Sequence, residues 1–304
     1  MKKFCEINEI KAFFKNRVPY QLLDRAWQTG DNTWEAVKCV TINEDFFIGH
    51  FPGHPIMPGV LQLEAMKQLA ELAVRESIIT PEADRVRIVK IAKVRFRRPA
   101  LPGDRLKISV EVTSIEGNTA EISAKVESAG GMVSDSKFTL QACAYERTDA
   151  VPELFNEYDL NDNVDMNNDK IMEVMPHRFP FLLIDYIPEN RGENVLAIKN
   201  ISANEAFFDN MSEDMVVPVS LLCEIGAQAG CASILARPEN ANKLGYFMSI
   251  DGAESFAPVR PGDQLVIRFN LPAGKSRFGK GSGEMLVNGK VVFKVTLMFA
   301  LVDK

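Results

Sequence analysis

Three histidines, two tryptophans and five cysteines are few for a chain of 304 residues. The cysteines (Cys5, Cys39, Cys143, Cys223, Cys231) are scattered, odd in number and form no C-x-x-C pair. That pattern offers neither a zinc site nor a disulfide framework and suits a reducing compartment, so a cytoplasmic location is expected. With so few histidines there is little to hold a transition metal. Gly-rich phosphate loops and dinucleotide fingerprints are absent. Positive charge is also short: 35 Lys and Arg stand against 41 Asp and Glu, a net charge of −6 with no basic tail, which argues against a general nucleic-acid binder. No apolar run is long enough to span a bilayer. The opening MKKFCEINEIKAFFKN is charged throughout and lacks the apolar core of a secretory signal. The composition that remains, 46% hydrophobic and 25% charged, is that of a globular protein of one large or two ordinary domains.

What is present is a repeat. VPYQLLD at 18–24 resembles FPFLLID at 179–185, and NEDFF at 43–47 resembles NEAFF at 204–208. MPGVLQLEAMKQ at 57–68 resembles VPVSLLCEIGAQ at 217–228, and RPALPGDRL at 98–106 resembles APVRPGDQL at 257–265. The order is kept, at offsets of 161, 161, 160 and 159 residues. Chance similarity would not hold that register, and repeats of this kind decide the fold. The chain therefore reads as two copies of one module, 1–150 and 171–304. The acidic, Asn-rich stretch between them, 151–170, serves as linker, either as a plain loop or with a short acidic helix at 152–158.

Each half predicts one helix and several strands. Pro58 precedes GVLQLEAMKQLAELAVRES, a run of good helix formers. RLKISVEVTSI and TAEISAKVESA alternate apolar and polar residues, as half-buried antiparallel strands do, and DQLVIRFNL and GKVVFKVTLMFALV repeat this in the second half. One face of each sheet needs cover, and the long helix is the cover available. The second helix, PVSLLCEIGAQAGCASILA at 218–236, is apolar nearly all round, which marks it as buried. Glu224 lies in its middle. A buried carboxylate is costly unless it is hydrogen-bonded or its pKa rises. Gln228, one turn on, is a candidate partner, and Glu64 and Gln68 hold the matching places in the first half.

Two of the three histidines sit in one Pro/Gly-rich turn. NEDFFIGHFPGHPIMPGVLQLEAM at 43–66 resembles the signature of the FabZ-type β-hydroxyacyl-acyl-carrier-protein dehydratases, with its His in a G-H-F-P-G turn and its Glu in the helix after M-P-G. PHRFPFLLIDYI at 176–187 resembles that family's N-terminal segment, and RFRRPALPGD at 95–104 its strand and turn beyond the helix. The resemblance covers most of both halves. It implies an α+β double hotdog, in which each module wraps an antiparallel sheet around a long helix and the two pair as an intramolecular pseudo-dimer. It also implies a site between modules, with His from one and Glu from the other. Members of that family often form trimers of dimers, which allows a homo-oligomer of such pseudo-dimers.

Departures from the pattern predict which site works. In the second half the turn reads FFDNMSEDMVVPVS, so His50 aligns with Asn210 or Met211 and Gly59 with Val219. His50 with Glu224 makes a complete pair; Glu64 with Asn210 or Met211 has no general base. The chemistry implied is elimination of water from a β-hydroxyacyl thioester, a hydro-lyase reaction without metal or organic cofactor. Neutral His50 would take the α proton. Glu224, its pKa raised by burial, would give a proton to the departing hydroxyl or orient it. The Gly59 N–H at the helix N-terminus would receive the thioester oxygen, and Phe51 and Pro52 would set the angle of the imidazole. His54 reads as a turn residue and His177 as a loop-holding one.

The stretch RVRIVKIAKVRFRR, 85–98, holds seven basic residues and no acidic ones. Arg95, Arg97 and Arg98 are candidates for docking an acidic acyl carrier protein; a solvated strand edge explains the same charges. Three other readings are weighed against the dehydratase. A hotdog thioesterase lacks reason for the H-F-P-G turn. A dehydratase that also isomerises the double bond usually carries Asp where Glu224 stands. A non-catalytic scaffold that only binds carrier protein would explain the decayed second half but not the retained Glu224.

Overall fold

The computed structural model describes residues 3–14, 20–145, 151–152, 154, 156–161, 163–208, 215–272 and 277–303. The first half opens with β1 (Phe4–Cys5) and α1 (Ile7–Phe13), then a hairpin of β2 (Arg25–Gly30) and β3 (Thr33–Cys39). The long helix α2 (Gly59–Val74) and strands β4 (Arg85–Phe96), β5 (Arg105–Glu116), β6 (Thr119–Ser128) and β7 (Gly131–Cys143) complete it. A short helix, α3 (Asn168–Val174), leads into the second half: hairpin β8 (Tyr186–Arg191) and β9 (Asn194–Asn200), long helix α4 (Val219–Leu235), then β10 (Lys243–Ser255), β11 (Gln264–Asn270), β12 (Phe278–Val287) and β13 (Lys290–Asp303).

The two halves have one topology. In the first, the strands lie side by side as β2-β3-β5-β6-β7-β4; in the second, as β8-β9-β11-β12-β13-β10. The halves join edge to edge through their matching last strands, β4 and β10, which pair antiparallel with Val94 opposite Ile250 and Ile91 opposite Ala253. The result is one continuous sheet of thirteen strands, β1 included, among the described residues. Each half thus covers the other's exposed edge, which would otherwise present unpaired backbone groups.

The alternation read in the sequence is visible in burial: Leu106, Ile108, Val110 and Val112 of β5, and Ala120, Ile122, Ala124 and Val126 of β6, all face inward. β4 departs from simple alternation. Register shifts at Ile88/Lys90 and Ile91/Lys93 reset its parity, so Val86, Ile88, Ile91 and Val94 are the buried set. A bulge adds a residue to one strand and flips the side chains beyond it. The basic residues of 85–98 therefore do not share one face along the whole strand.

Both long helices are wrapped by the sheet and pack against each other, α2 burying even Gln62, Glu64, Lys67, Gln68 and Glu71. No helix among the described residues is long and apolar enough to cross a membrane. Where the sequence left a loop or a short acidic helix, Tyr158 and Val164 pack on the outer face of the second half, against Tyr186, Ile198, Val266 and Leu286.

The repeated residues have repeated structural tasks. Gln68 accepts from Leu22 N–H and donates to the Tyr20 carbonyl; Gln228 does the same with Leu183 and Phe181. Asp24 caps the Cys39 N–H and Asp185 the Asn200 N–H. Buried Lys38 pairs with Glu44, and buried Lys199 with Glu205, each tying the Asn-Glu turn to its hairpin. In each PGD turn the glycine takes positive φ, +99° at Gly103 and +95° at Gly262, where a side chain would be strained. These tasks account for the sequence matches that define the repeat.

Candidate active site

The first functional group comes from a turn pinned at both ends. Phe46 and Phe47 are buried and anchor the short 3-10 turn Asp45–Ile48. The His50 N–H donates to the Phe46 carbonyl at 2.9 Å, and the Ile56 N–H donates back to the His50 carbonyl at 3.1 Å. Gly53, at φ +75°, closes the loop between them. Inside this loop the His50 imidazole is buried, and its Nδ1 lies 2.7 Å from the Ile56 carbonyl oxygen. A carbonyl can only accept, so Nδ1 carries the proton and Nε2 keeps a free lone pair. Phe51 stacks on the imidazole with centroids 3.9 Å apart. Pro52 and His54 are exposed in the turn, so the ring is braced by Phe51 alone of the two residues expected to set its angle.

Gly49 brings the second half to this turn. The Arg178 N–H donates to the Gly49 carbonyl at 3.0 Å, and a Cβ on Gly49 would lie 2.0 Å from the Arg178 carbonyl oxygen. Only glycine permits two backbones this close. The approach delivers His177 to the site. Its ring centroid lies 5.5 Å from that of His50 and 4.9 Å from that of Phe51. The sequence marked His177 as a loop-holding residue; its imidazole lies beside the rings of His50 and Phe51.

The third group rises from α4. Glu224 is buried, accepts from Gln228 Nε2 at 2.9 Å, and lies 3.6 Å from His177 Nε2. His50 and Glu224, from different halves of the chain, so belong to one buried cluster with His177 between their elements. Burial pushes the His50 imidazole down to about 4, helped by the neighbouring His177 and opposed by Glu224. It is a neutral base across the neutral range. For Glu224 the expected rise is reversed. Burial pushes the carboxyl up, but the His177 imidazole 3.6 Å away, the His50 imidazole and the Gln228 hydrogen bond together hold it below the usual carboxylate range. The sequence could show the apolar helix but not the imidazoles that reach it from elsewhere.

The matching place in the other half is differently furnished. Glu64 accepts a hydrogen bond from Ser220 Oγ at 2.9 Å, and Val219 replaces the glycine at the helix start. A 60 Å³ cavity beside it is lined by Lys67, Arg85 and Arg87 among others. Asn210 and Met211 lie outside the described residues.

At the start of α2 the Pro58 cap supplies no side-chain hydrogen bond, and the Gly59 N–H has no partner among the described residues. A Cβ there would stand 2.8 Å from the Phe96 ring. Phe96 places the end of β4 beside the helix start, with Arg95 and Arg97 both on Asp135 and Arg98 3.7 Å from Asp104. Their charge is thus partly offset, although Arg95 and Arg97 remain about half exposed.

Fold and site together define a double hotdog with one His–Glu cluster between its modules. Sequence comparison agrees on the two modules. The family model for the FabA-like domain matches twice, at residues 17–137 and 175–296. The chain belongs to the FabA-like family. The 3-hydroxyacyl-[acyl-carrier-protein] dehydratase FabZ of Geobacillus thermodenitrificans is 42% identical over 137 residues, 44% of this chain and 94% of that protein. The FabZ of Bacillus cytotoxicus is 40% identical over 141 residues, 46% of this chain and 98% of that one. Among solved structures, the dehydratase domain from the CurJ module of the curacin polyketide synthase superposes with a TM-score of 0.60 at 12% identity, over 93% of this chain and 97% of that one. A putative thioesterase from Novosphingobium aromaticivorans gives 0.58 at 14%, over 90% and 97%. Likeness at that identity shows the fold alone.

Proposed function

We propose that the chain is a hydro-lyase that eliminates water from a β-hydroxyacyl thioester to give the trans-2-enoyl thioester, in fatty-acid or related lipid synthesis. The observation that carries this is one buried cluster in which the His50 ring, from the first half, lies 5.5 Å from that of His177, whose Nε2 lies 3.6 Å from Glu224, both from the second. His50 Nε2 takes the α proton, its other nitrogen being held by the Ile56 carbonyl. Negative charge then builds on the thioester oxygen. The Gly59 N–H, without a partner among the described residues, and the positive end of α2 receive it, and the missing side chain leaves room for close approach. Glu224 faces the β-hydroxyl side, oriented by Gln228.

The thioester arrives on acyl carrier protein, and the exposed arginines Arg95, Arg97 and Arg98, at the end of β4 beside Gly59, supply positive charge for an acidic partner. Domain limits of 1–150 and 171–304 with a linker between fit the repeat and the two family matches. The second place, with Val219 at the helix start and Ser220 on Glu64, does no chemistry.

The reading is tested by following formation of the conjugated enoyl thioester from a short β-hydroxyacyl thioester by ultraviolet absorbance. Turnover that falls on the order of 10²–10⁴-fold in His50→Ala is the expected result. Hydrolysis of the thioester with free thiol released, and no enoyl product, would indicate the thioesterase instead. Binding of acyl carrier protein without turnover would leave a scaffold.

A further inference from the structure

An ionised Glu224 leaves the elimination proposed above without a proton for the departing hydroxyl. The cluster contains a group that can hold one. His177 is 6% exposed, its Nε2 faces Glu224 Oε1 at 3.6 Å, and its Nδ1 is buried with no hydrogen-bond partner among the described residues. A buried ring nitrogen without a partner is costly, and such groups mark places where a ligand completes the set. The ring is not needed to hold its own loop. Arg178 does that, donating through Nη1 to the Met175 and His177 carbonyls and through Nη2 to the Met172 carbonyl, while its N–H grips Gly49.

We propose that His177 is a third catalytic residue: paired through Nε2 with Glu224, it presents Nδ1 to the substrate's β-oxygen, and the pair holds the proton that leaves as water. The inference rests on the dehydratase reading. The balance is as follows. His50 Nε2 takes the α proton and the C–H electron pair moves toward the thioester. The Cβ–O bond breaks as Nδ1–H of protonated His177 transfers its proton to the oxygen, and water leaves with the Cβ–O pair. His177 stays protonated on Nε2, facing Glu224. The proton gained by His50 then passes back across the cluster, so the enzyme is unchanged and substrate has become enoyl thioester plus water. Glu224 here orients and charge-stabilises an imidazolium, as a carboxylate does beside a catalytic histidine.

The other titratable groups that feel the Glu224 charge are His50 from the turn, Tyr20 from the first half, and Cys223 and Cys231 of α4 itself. Burial raises Tyr20 and Cys223 well above their ordinary values and Cys231 to about 12, so none of the three changes charge near neutrality.

The test is kcat and KM against pH for wild type, His177→Gln and His177→Asn, with melting temperatures alongside. The amide of glutamine can still reach Glu224 but cannot hand over a proton. The expected result is a kcat loss of about a hundredfold, KM within about threefold, and a displaced alkaline limb of the kcat profile. The acid limb of kcat/KM should also move to higher pH, because the imidazole that depresses His50 is gone. A kcat within about threefold of wild type, or a loss uniform across pH, overturns the proposal. Because the chain has only three histidines, nitrogen-15 histidine spectra of the wild-type protein give a second test that needs no variant. His177 Nδ1 should shift on binding a β-hydroxyacyl amide analogue; an unmoved resonance counts against the role. Wild type without dehydration defeats the dehydratase reading; wild type active beside unimpaired His177 variants defeats this inference alone.

Discussion

At the scale of single residues, most repeated positions are scaffold, and Glu224, matched by Glu64, is the repeated residue that also enters the candidate site. Among residues present in both halves, Gln68 and Gln228, and Asp24 and Asp185, hold backbone, while Lys38 and Lys199 pair with Glu44 and Glu205. The residues that break the repeat, His50 and Gly59, stand at the candidate site. His50 carries a specific pH prediction. Its neutral form is the base, and burial lowers its pKa from 6.5 to about 4. The acid limb of kcat/KM should therefore lie near pH 4; a limb near 6.5 would contradict the burial argument. The same shift bears on stability. Between about 6.5 and 4 the unfolded chain binds a proton that the folded imidazole refuses, so stability falls as pH drops through that window. His50→Ala should flatten that part of the melting-temperature profile. Gly49 carries a second prediction: Gly49→Ala drives a Cβ into the Arg178 backbone. It should cost about 1–3 kcal/mol in denaturant titration and lower kcat by separating His50 from His177. Much of this was readable from residue order, because the G-H-F-P-G turn and the helix glutamate are local patterns. His177 was not, because its distance to Glu224 depends on a backbone contact across 129 residues of chain, from Gly49 to Arg178.

At the scale of elements, the two glutamines on the buried helices set up a controlled comparison. Each satisfies one N–H and one carbonyl of the strand-entry segment, but only Gln228 also donates to a glutamate, Glu224. Gln68→Met and Gln228→Met should each cost about 2–4 kcal/mol by orphaning buried backbone groups. Only Gln228→Met should also lower kcat per folded molecule and move the pH profile. Equal losses of activity would show that these residues act only through packing. The elements themselves were legible where alternation is unbroken, as in β5 and β6. β4 was legible as a basic stretch but not in its facing, since its two register shifts come from pairing with β7. The raised pKa expected for Glu224 failed for a similar reason. The apolar helix is visible in the sequence, while the imidazoles that offset burial come from other elements.

At the scale of the whole molecule, the sheet continues through the β4–β10 seam without interruption. A boundary drawn between two repeats gives no hint of this, because edge pairing is a choice between strands far apart in sequence. The continuity predicts one cooperative unfolding transition, with calorimetric and van't Hoff enthalpies equal; two separated transitions would mean that the halves unfold independently. The two halves are nonetheless furnished differently. His50 of the first half shares a buried cluster with His177 and Glu224 of the second, while Glu64 accepts from Ser220. The central claim is that one asymmetric site, built across the two halves, does the work. The measurement that tests it most directly is steady-state dehydration by Glu224→Gln and Glu64→Gln under identical conditions. The account predicts a loss on the order of 10²–10⁴-fold for Glu224→Gln and a rate close to wild type for Glu64→Gln. Equal loss in both, or loss in Glu64→Gln alone, would contradict it.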